Sequence, residues 1–187
     1  MSDYIAEKLE VSPYFDIELL MSVSQESRIG GETMQRLAGR WEAWVKELNA
    51  YQVNTGKIEY LVVWLNEAVE ADVDSMWEKS PSDAYIVGAL AQVMCMSVVH
   101  EIMPHIQEVG CAPAPKPTEK LQEALAGIGV PYNEPVTALS RRYAVVTHHP
   151  FKGGCEICYL QKECPKGSGK GSEPMSLELP GFEYKPL

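Results

Sequence analysis

The chain has 187 residues, of which 45% are apolar and 22% are charged, and its formal net charge is −10. This is the composition of a folded globular protein rather than of a disordered one. A charge this negative argues against a broad phosphate-binding surface, because such a surface is built from clustered lysine and arginine. We therefore do not expect nucleic acid as a partner.

The N-terminal stretch MSDYIAEKLEVSPYF has neither the basic region nor the apolar region of a secretory signal. The apolar runs, such as YLVVWL, are too short or too interrupted to predict a membrane span. These features predict a cytoplasmic protein that does not contact a membrane. In a reducing compartment, closely spaced cysteines are more often metal ligands than disulfide partners.

The first part of the chain has the pattern of helices separated by turns. The Ser12-Pro13 pair is typical of a helix start, and the Gly30-Gly31 pair of a helix end. Apolar residues then recur at three- and four-residue steps over residues 34–48 and again over residues 58–69. Both stripes predict amphipathic helices.

A more apolar helix follows. Ser80 is expected to cap it, with Pro81 at its first position and Asp83 in its first turn. Pro104 should kink or end this helix, and Gly110 should terminate the segment. A helix that is apolar on most faces is usually the central helix of a bundle.

The proline-rich stretch Cys111–Pro117 predicts a stiff connection. Beyond it we expect a short helix capped by Thr118 and a further short helix over about residues 133–142, which the following YAVVT either finishes or leaves as an extended segment. No alternating run of strand length is evident. The predicted fold is therefore all-α, a helical bundle.

Three regions follow from this reading. Residues 1–110 are the bundle body, and residues 111–166 hold a helical segment and a small cysteine-rich metal-binding loop. Residues 167–187 begin with the linker-like KGSGKGSEP and form an extended tail whose apolar residues can dock on the body.

Three of the five cysteines lie within ten residues, in the pattern Cys155-x2-Cys158-x5-Cys164. Two thiolates separated by two residues can point to the same side of a turn. Soft thiolate ligands select zinc or iron–sulfur clusters over hard cations such as magnesium. Counting back six intervening residues from Cys155 reaches His148, which extends the pattern to His-x6-Cys-x2-Cys-x5-Cys.

This pattern resembles the iron–sulfur cluster loop of the endonuclease III and adenine-glycosylase family of DNA repair enzymes, in which the first ligand is also a cysteine. The resemblance implies a [4Fe–4S] cluster bound by His148, Cys155, Cys158 and Cys164. An imidazole is chemically acceptable as a cluster ligand. Glycosylase activity is not implied, because no aspartate lies between Gly129 and His148 to take the catalytic role.

The same cysteines also resemble the iron–sulfur site of some CRISPR-associated and recombination nucleases, in which a distant upstream cysteine is the fourth ligand. That resemblance implies Cys111 in place of His148. The neighbouring His149 is a third candidate, and an open fourth position is a further alternative. The sequence contains no recognisable nuclease constellation or other catalytic constellation.

A structural zinc site with the same ligands is the main alternative to a cluster, since zinc accepts three cysteines and a histidine readily. Typical zinc signatures, however, contain two paired ligand elements, and this chain has one. We therefore favour a [4Fe–4S] protein with a redox, electron-transfer or structural role and a protein partner. In the competing hypothesis, a non-enzymatic partner protein with structural zinc, the all-α body broadly resembles the chaperones that escort molybdenum enzymes.

Overall fold

A computed structural model describes residues 4–135, 138–162 and 164 of the chain. Its strands are β1 (Ile5–Lys8), β2 (Leu48–Asn54), β3 (Glu59–Leu65) and β4 (Ala144–His149). Its helices are α1 (Ile17–Ser24), α2 (Gly31–Trp44), α3 (Glu67–Trp77), α4 (Pro81–Ile102), α5 (His105–Val109) and α6 (Glu119–Gly127). Short 3₁₀ turns cover Val45–Glu47 and Cys155–Ile157.

The prediction of an all-α helical bundle is wrong, because the four strands form one antiparallel sheet in the order β1-β2-β3-β4. The apolar stripe over residues 58–69 was the main source of the error. In the structure this stretch is strand β3 followed by the start of α3. Six of the seven residues of β3 are buried, so the strand is continuously apolar and its spacing also satisfies a helical pattern.

Two apolar layers cover the two faces of the sheet. On one face, Leu61, Val63 and Leu65 of β3 pack with the helices α1 to α5. On the other face, alternate residues of the same strand, Tyr60 and Val62, pack against α6. Since neighbouring strand residues point to opposite faces, this two-sided burial accounts for the absence of polar alternation in the sequence.

Helix α4 is the central helix of the larger layer. Ser80 caps it, its hydroxyl accepting a hydrogen bond from the Asp83 backbone N–H at 3.4 Å, and Pro81 occupies the first turn. Both features were predicted. The prediction that its apolar run is too interrupted to span a membrane is wrong, because the length and composition of α4 would allow it to cross one. In the structure, however, 67% of its most apolar window is buried inside the protein. That burial is what a central core helix requires.

The ends of α4 and α5 also follow the prediction. α4 stops at Ile102, before Pro104, and α5 ends at Gly110, whose φ of 74° lies in the left-handed region. Thr118 caps α6 by accepting from the Leu121 N–H at 3.4 Å. The helix predicted over residues 133–142 is not found in its described part, where Tyr132 and Leu139 instead form an isolated antiparallel bridge.

The final strand, β4, is the element that positions the cysteine loop. It pairs with β3 in an antiparallel register that places Val145 opposite Val63 and His148 opposite Tyr60. The YAVVT stretch is therefore extended and pairs within the sheet. The chain leaves the sheet at His149 and enters the cysteine loop directly. The predicted tail, residues 167–187, lies outside the described residues.

Candidate metal centre

Two segments that are far apart in sequence meet beside strand β4. The first begins at Cys111, directly after α5, and the second is the loop that follows His149. The buried Thr147 of β4 holds the first segment by donating a hydrogen bond from its hydroxyl to the Pro113 carbonyl at 3.0 Å. The second segment is held to the first, because the Tyr159 N–H donates to the Ala114 carbonyl at 2.8 Å.

A third contact brings the loop close to the end of the helical body. Gly154 packs against Val109 of α5 so tightly that a Cβ on this glycine would lie 2.9 Å from Val109 Cγ1. Any larger residue at position 154 would push the loop away from α5. One hydrogen bond therefore joins the two segments directly, a second ties the first segment to β4, and the packing contact sets the loop against α5.

Four of the five cysteines line one cavity between these segments. They are Cys111 from the first segment and Cys155, Cys158 and Cys164 from the second. Pro113, Gly154 and Gln161 complete the wall. The cavity is narrow, with about 10 Å³ open to the centre of a water molecule, which is room for about one water.

The loop's own hydrogen bonds fix the backbone between Gly154 and Cys158. The Cys158 N–H donates to the Cys155 carbonyl at 3.2 Å and closes the short 3₁₀ turn between them. The Glu156 carboxylate accepts from the Gly154 N–H at 2.9 Å. Hydrogen bonds from its own backbone N–H and from that of Gly154 lower the pKa of the Glu156 carboxyl. The acidic side chain is therefore directed at the loop backbone.

His148, the first ligand implied by the repair-enzyme resemblance, is not brought to this cavity. Its ring packs at 5.5 Å from the ring of Tyr60, which belongs to the layer that faces α6. Thr147, whose hydroxyl reaches Pro113, points to the opposite face, because adjacent strand residues alternate. Burial, followed by the positive charge of Lys152, lowers the pKa of His148.

His149 shares the face of Thr147 and lies beside Glu59 rather than beside the cysteines. Its Nδ1 lies 3.9 Å from the Glu59 Oε2 atom on the neighbouring strand and has no hydrogen-bond partner among the described residues. The Glu59 carboxylate also accepts from Asn54 and Gln52. Neither His149 nor His148 lines the cysteine cavity.

The fifth cysteine has a different environment. Cys95 lies in α4, is fully buried, and donates weakly from its thiol to the Tyr143 carbonyl at 3.5 Å. Burial raises the pKa of this thiol to about 12. It is a core residue, as its position in the most apolar helix predicted.

The thiols are not arranged around a single ion. Among residues 4–135, 138–162 and 164, no three His, Cys, Asp or Glu side chains are placed closely enough to hold one metal ion. A tetrahedral zinc with Zn–S bonds near 2.3 Å needs its sulfur atoms about 3.8 Å apart. A four-iron cluster binds each thiolate at a different iron and so holds its ligands farther apart.

No protein-family model matches this chain, and neither a curated protein nor a solved structure matches it. Function therefore rests on the geometry of the site. The sequence supplied the four cysteines as candidates, but not the residues that assemble them. Thr147 and Gly154 carry no signal in a single sequence, because an ordinary strand threonine and a loop glycine have many other uses.

Proposed function

We propose that the chain binds a [4Fe–4S] cluster through Cys111, Cys155, Cys158 and Cys164, with a redox or electron-transfer role. The observation that carries the proposal is that these four thiols line one cavity although Cys111 is 44 residues from the next of them in sequence. Four cysteines are a complete ligand set for such a cluster. In this proposal Cys111, and not His148, is the fourth ligand of the cluster.

The donor set is consistent with the cluster. All four donors are sulfur, and a set of thiolates alone selects zinc or iron–sulfur over hard cations. The narrow cavity does not by itself hold a cluster, so binding requires the loop to move outward. The exposure of Cys111 and Cys155 supports this, because neither side chain is confined by the core. Zinc bound by the same four thiols is the competing outcome.

The position of the loop supports exchange of electrons with another protein. Cys158 is followed by Tyr159 and Leu160, which are 54% and 46% exposed. These two side chains offer apolar contact surface directly beside the site. We therefore propose a protein redox partner. The chaperone-like alternative has lost its basis, because it rested on an all-α body and the sheet contradicts that architecture.

The proposal is tested by purifying the full chain without oxygen and measuring its absorption spectrum, iron, acid-labile sulfide and zinc. Broad visible absorption with about four irons and four sulfides per chain is expected. A colourless protein with one zinc and no sulfide would replace the cluster by a structural metal. A reversible redox titration of the coloured protein then separates an electron-transfer role from a purely structural one.

Variants identify the fourth ligand. Cys111→Ser should lose most of the iron and sulfide, whereas His148→Gln and His149→Gln should keep them. Cys95→Ala is the matched control, because it removes a cysteine that lies outside the cavity. If His148→Gln loses the cluster while Cys111→Ser retains it, the assignment of Cys111 is wrong and the repair-enzyme pattern applies. Circular dichroism of each variant confirms that the fold is intact.

A further inference from the structure

A second cavity lies among α1, α4 and α5, on the helical side of the protein. By the same measure as for the cysteine cavity it has about 540 Å³, and its wall includes Asp16, Glu18, Ser22, His100 and Gln107. This volume is in the range of small-molecule sites, which span roughly 300–1,000 Å³. The cysteine cavity shares none of these residues.

One polar side chain in this wall lacks a partner. His100 is 8% exposed, and its Nδ1 atom is buried without a hydrogen-bond partner among the described residues. A buried polar atom without a partner costs free energy, which a bound hydrogen-bonding group would recover. A half-turn about the Cβ–Cγ bond of histidine exchanges Nδ1 with a ring carbon, and the two orientations are similar in shape. The Nδ1 atom as placed is not open to the cavity, so an occupant would meet a ring nitrogen only at the part of the imidazole that lines the wall.

The charged groups in the wall are all negative. Asp16 caps α1, and its two oxygens accept from the Leu19 N–H at 2.9 Å and the Tyr14 hydroxyl at 3.2 Å. Both donors are neutral, and no described residue forms an ion pair with this carboxylate. Glu18 adds a second carboxylate. Asp16 is also near enough to His100 to act on it electrostatically, although burial is the larger effect and lowers the pKa of that imidazole.

The remaining wall is apolar. Leu19, Val23 and Met96 line the cavity together with the polar groups. A methionine in such a wall is adaptable to ligand shape. An occupant should therefore combine a positive charge with a short hydrocarbon portion, and it should donate hydrogen bonds rather than accept them.

We propose that this cavity binds a small aliphatic ammonium compound, with the ammonium group between the Asp16 and Glu18 carboxylates and donating to His100, and with the hydrocarbon portion against Met96. The neutral imidazole acts as an acceptor there. Ser22 and Gln107 offer further hydrogen-bonding groups. The site is independent of the metal proposal, because no cysteine takes part.

The test uses n-butylammonium chloride as the probe, titrated into the full-length protein as purified and followed by two-dimensional NMR of the backbone amides. Sodium butyrate and n-butanol are probes of the same carbon length with a negative charge and no charge. Saturable shifts confined to α1, the end of α4 and α5 are expected for butylammonium, with at least ten-fold weaker binding of the other two compounds. Butyrate or butanol binding as tightly, or no saturable shifts at all, would overturn the proposal.

Two variants test the assigned groups. His100→Leu replaces the imidazole with an apolar side chain and so removes both ring nitrogens. It should weaken butylammonium binding about ten-fold. Glu18→Gln should weaken it about three-fold, the usual size of an exposed charge contact. Glu101→Gln is the matched control, because Glu101 is exposed and lies outside the cavity wall. Equal weakening by Glu101→Gln and Glu18→Gln would show adsorption to an acidic surface and refute the site.

Discussion

Replacing Thr147 with valine removes the hydrogen bond that holds the Cys111 segment against the sheet, while the shape of the side chain stays nearly the same. Thr147 is fully buried, Pro113 is buried, and the Oγ1–O distance is 3.0 Å. The change leaves the Pro113 carbonyl without this donor. Loss of a buried hydrogen bond with one partner left unsatisfied costs about 1–3 kcal/mol.

For a chain of this length, each 1 kcal/mol lowers the Tm by about 2–4 °C. A loss of about 2 kcal/mol therefore predicts a Tm lower by about 4–8 °C, measured by thermal unfolding followed by circular dichroism without oxygen. Thr147→Ser is the control, since it retains the donor and loses one methyl group, at about 1 kcal/mol. We expect the valine variant, but not the serine variant, to bind less metal. A valine variant with unchanged Tm and metal content would refute the role of this hydrogen bond.

Three further predictions concern the body of the protein. Leu90 is fully buried in α4. Leu90→Ala should therefore lower the free energy of unfolding, measured by urea titration, by about 2–5 kcal/mol. A change of less than about 1 kcal/mol would contradict a core position for this residue. The Arg142 guanidinium donates to both Asp74 oxygens and lowers the pKa of that carboxyl below 3.8, so this contact stabilises the folded state above pH 3.8 and is lost as the pH falls through the lowered value. Arg142→Met should therefore be less stable than the parent chain at pH 7, and the difference should shrink once Asp74 is protonated. A difference that does not change with pH would contradict the ion pair. Burial lowers the pKa of His148, so protonation favours the unfolded chain below pH 6.5. Between pH 7 and pH 5, His148→Gln should therefore lose less stability than the parent chain. Equal losses in the two chains would show that His148 is not a source of the acid sensitivity.

Some local signals in the sequence were accurate and others were wrong. The Ser12-Pro13 pair does not start a helix, because α1 begins at Ile17 with Asp16 as its cap, and the Gly30-Gly31 pair starts α2 instead of ending a helix. Ser80 and Thr118 cap helices, and Gly110 ends one, because an N-cap hydroxyl and a left-handed glycine act within one turn of chain. Such interactions are present in the sequence window itself. The central position of α4 also followed from its composition, since a helix that is apolar on nearly all faces must be covered on all of them.

The strands could not be assigned in the same way. Whether residues 59–65 form a helix or a strand depends on what covers their two faces, and both coverings come from distant parts of the chain. β3 is a central strand because it pairs with β2 on one edge and with β4 on the other, and because helices cover both of its faces. Its apolar spacing fits a helix and a two-sided strand equally well, so only the tertiary partners separate the two.

The sequence by itself determined the chemistry available at the candidate metal centre. Three closely spaced thiols follow from residue identity and spacing alone, and the two family resemblances implied His148 or Cys111 as the fourth donor. The tertiary structure decided which upstream residue meets them. β4 directs His148 towards α6 and Thr147 towards Pro113, and this alternation brings Cys111 to the loop. A strand sends neighbouring side chains to opposite faces, so a donor with the right spacing in sequence can lie on the wrong side of the sheet.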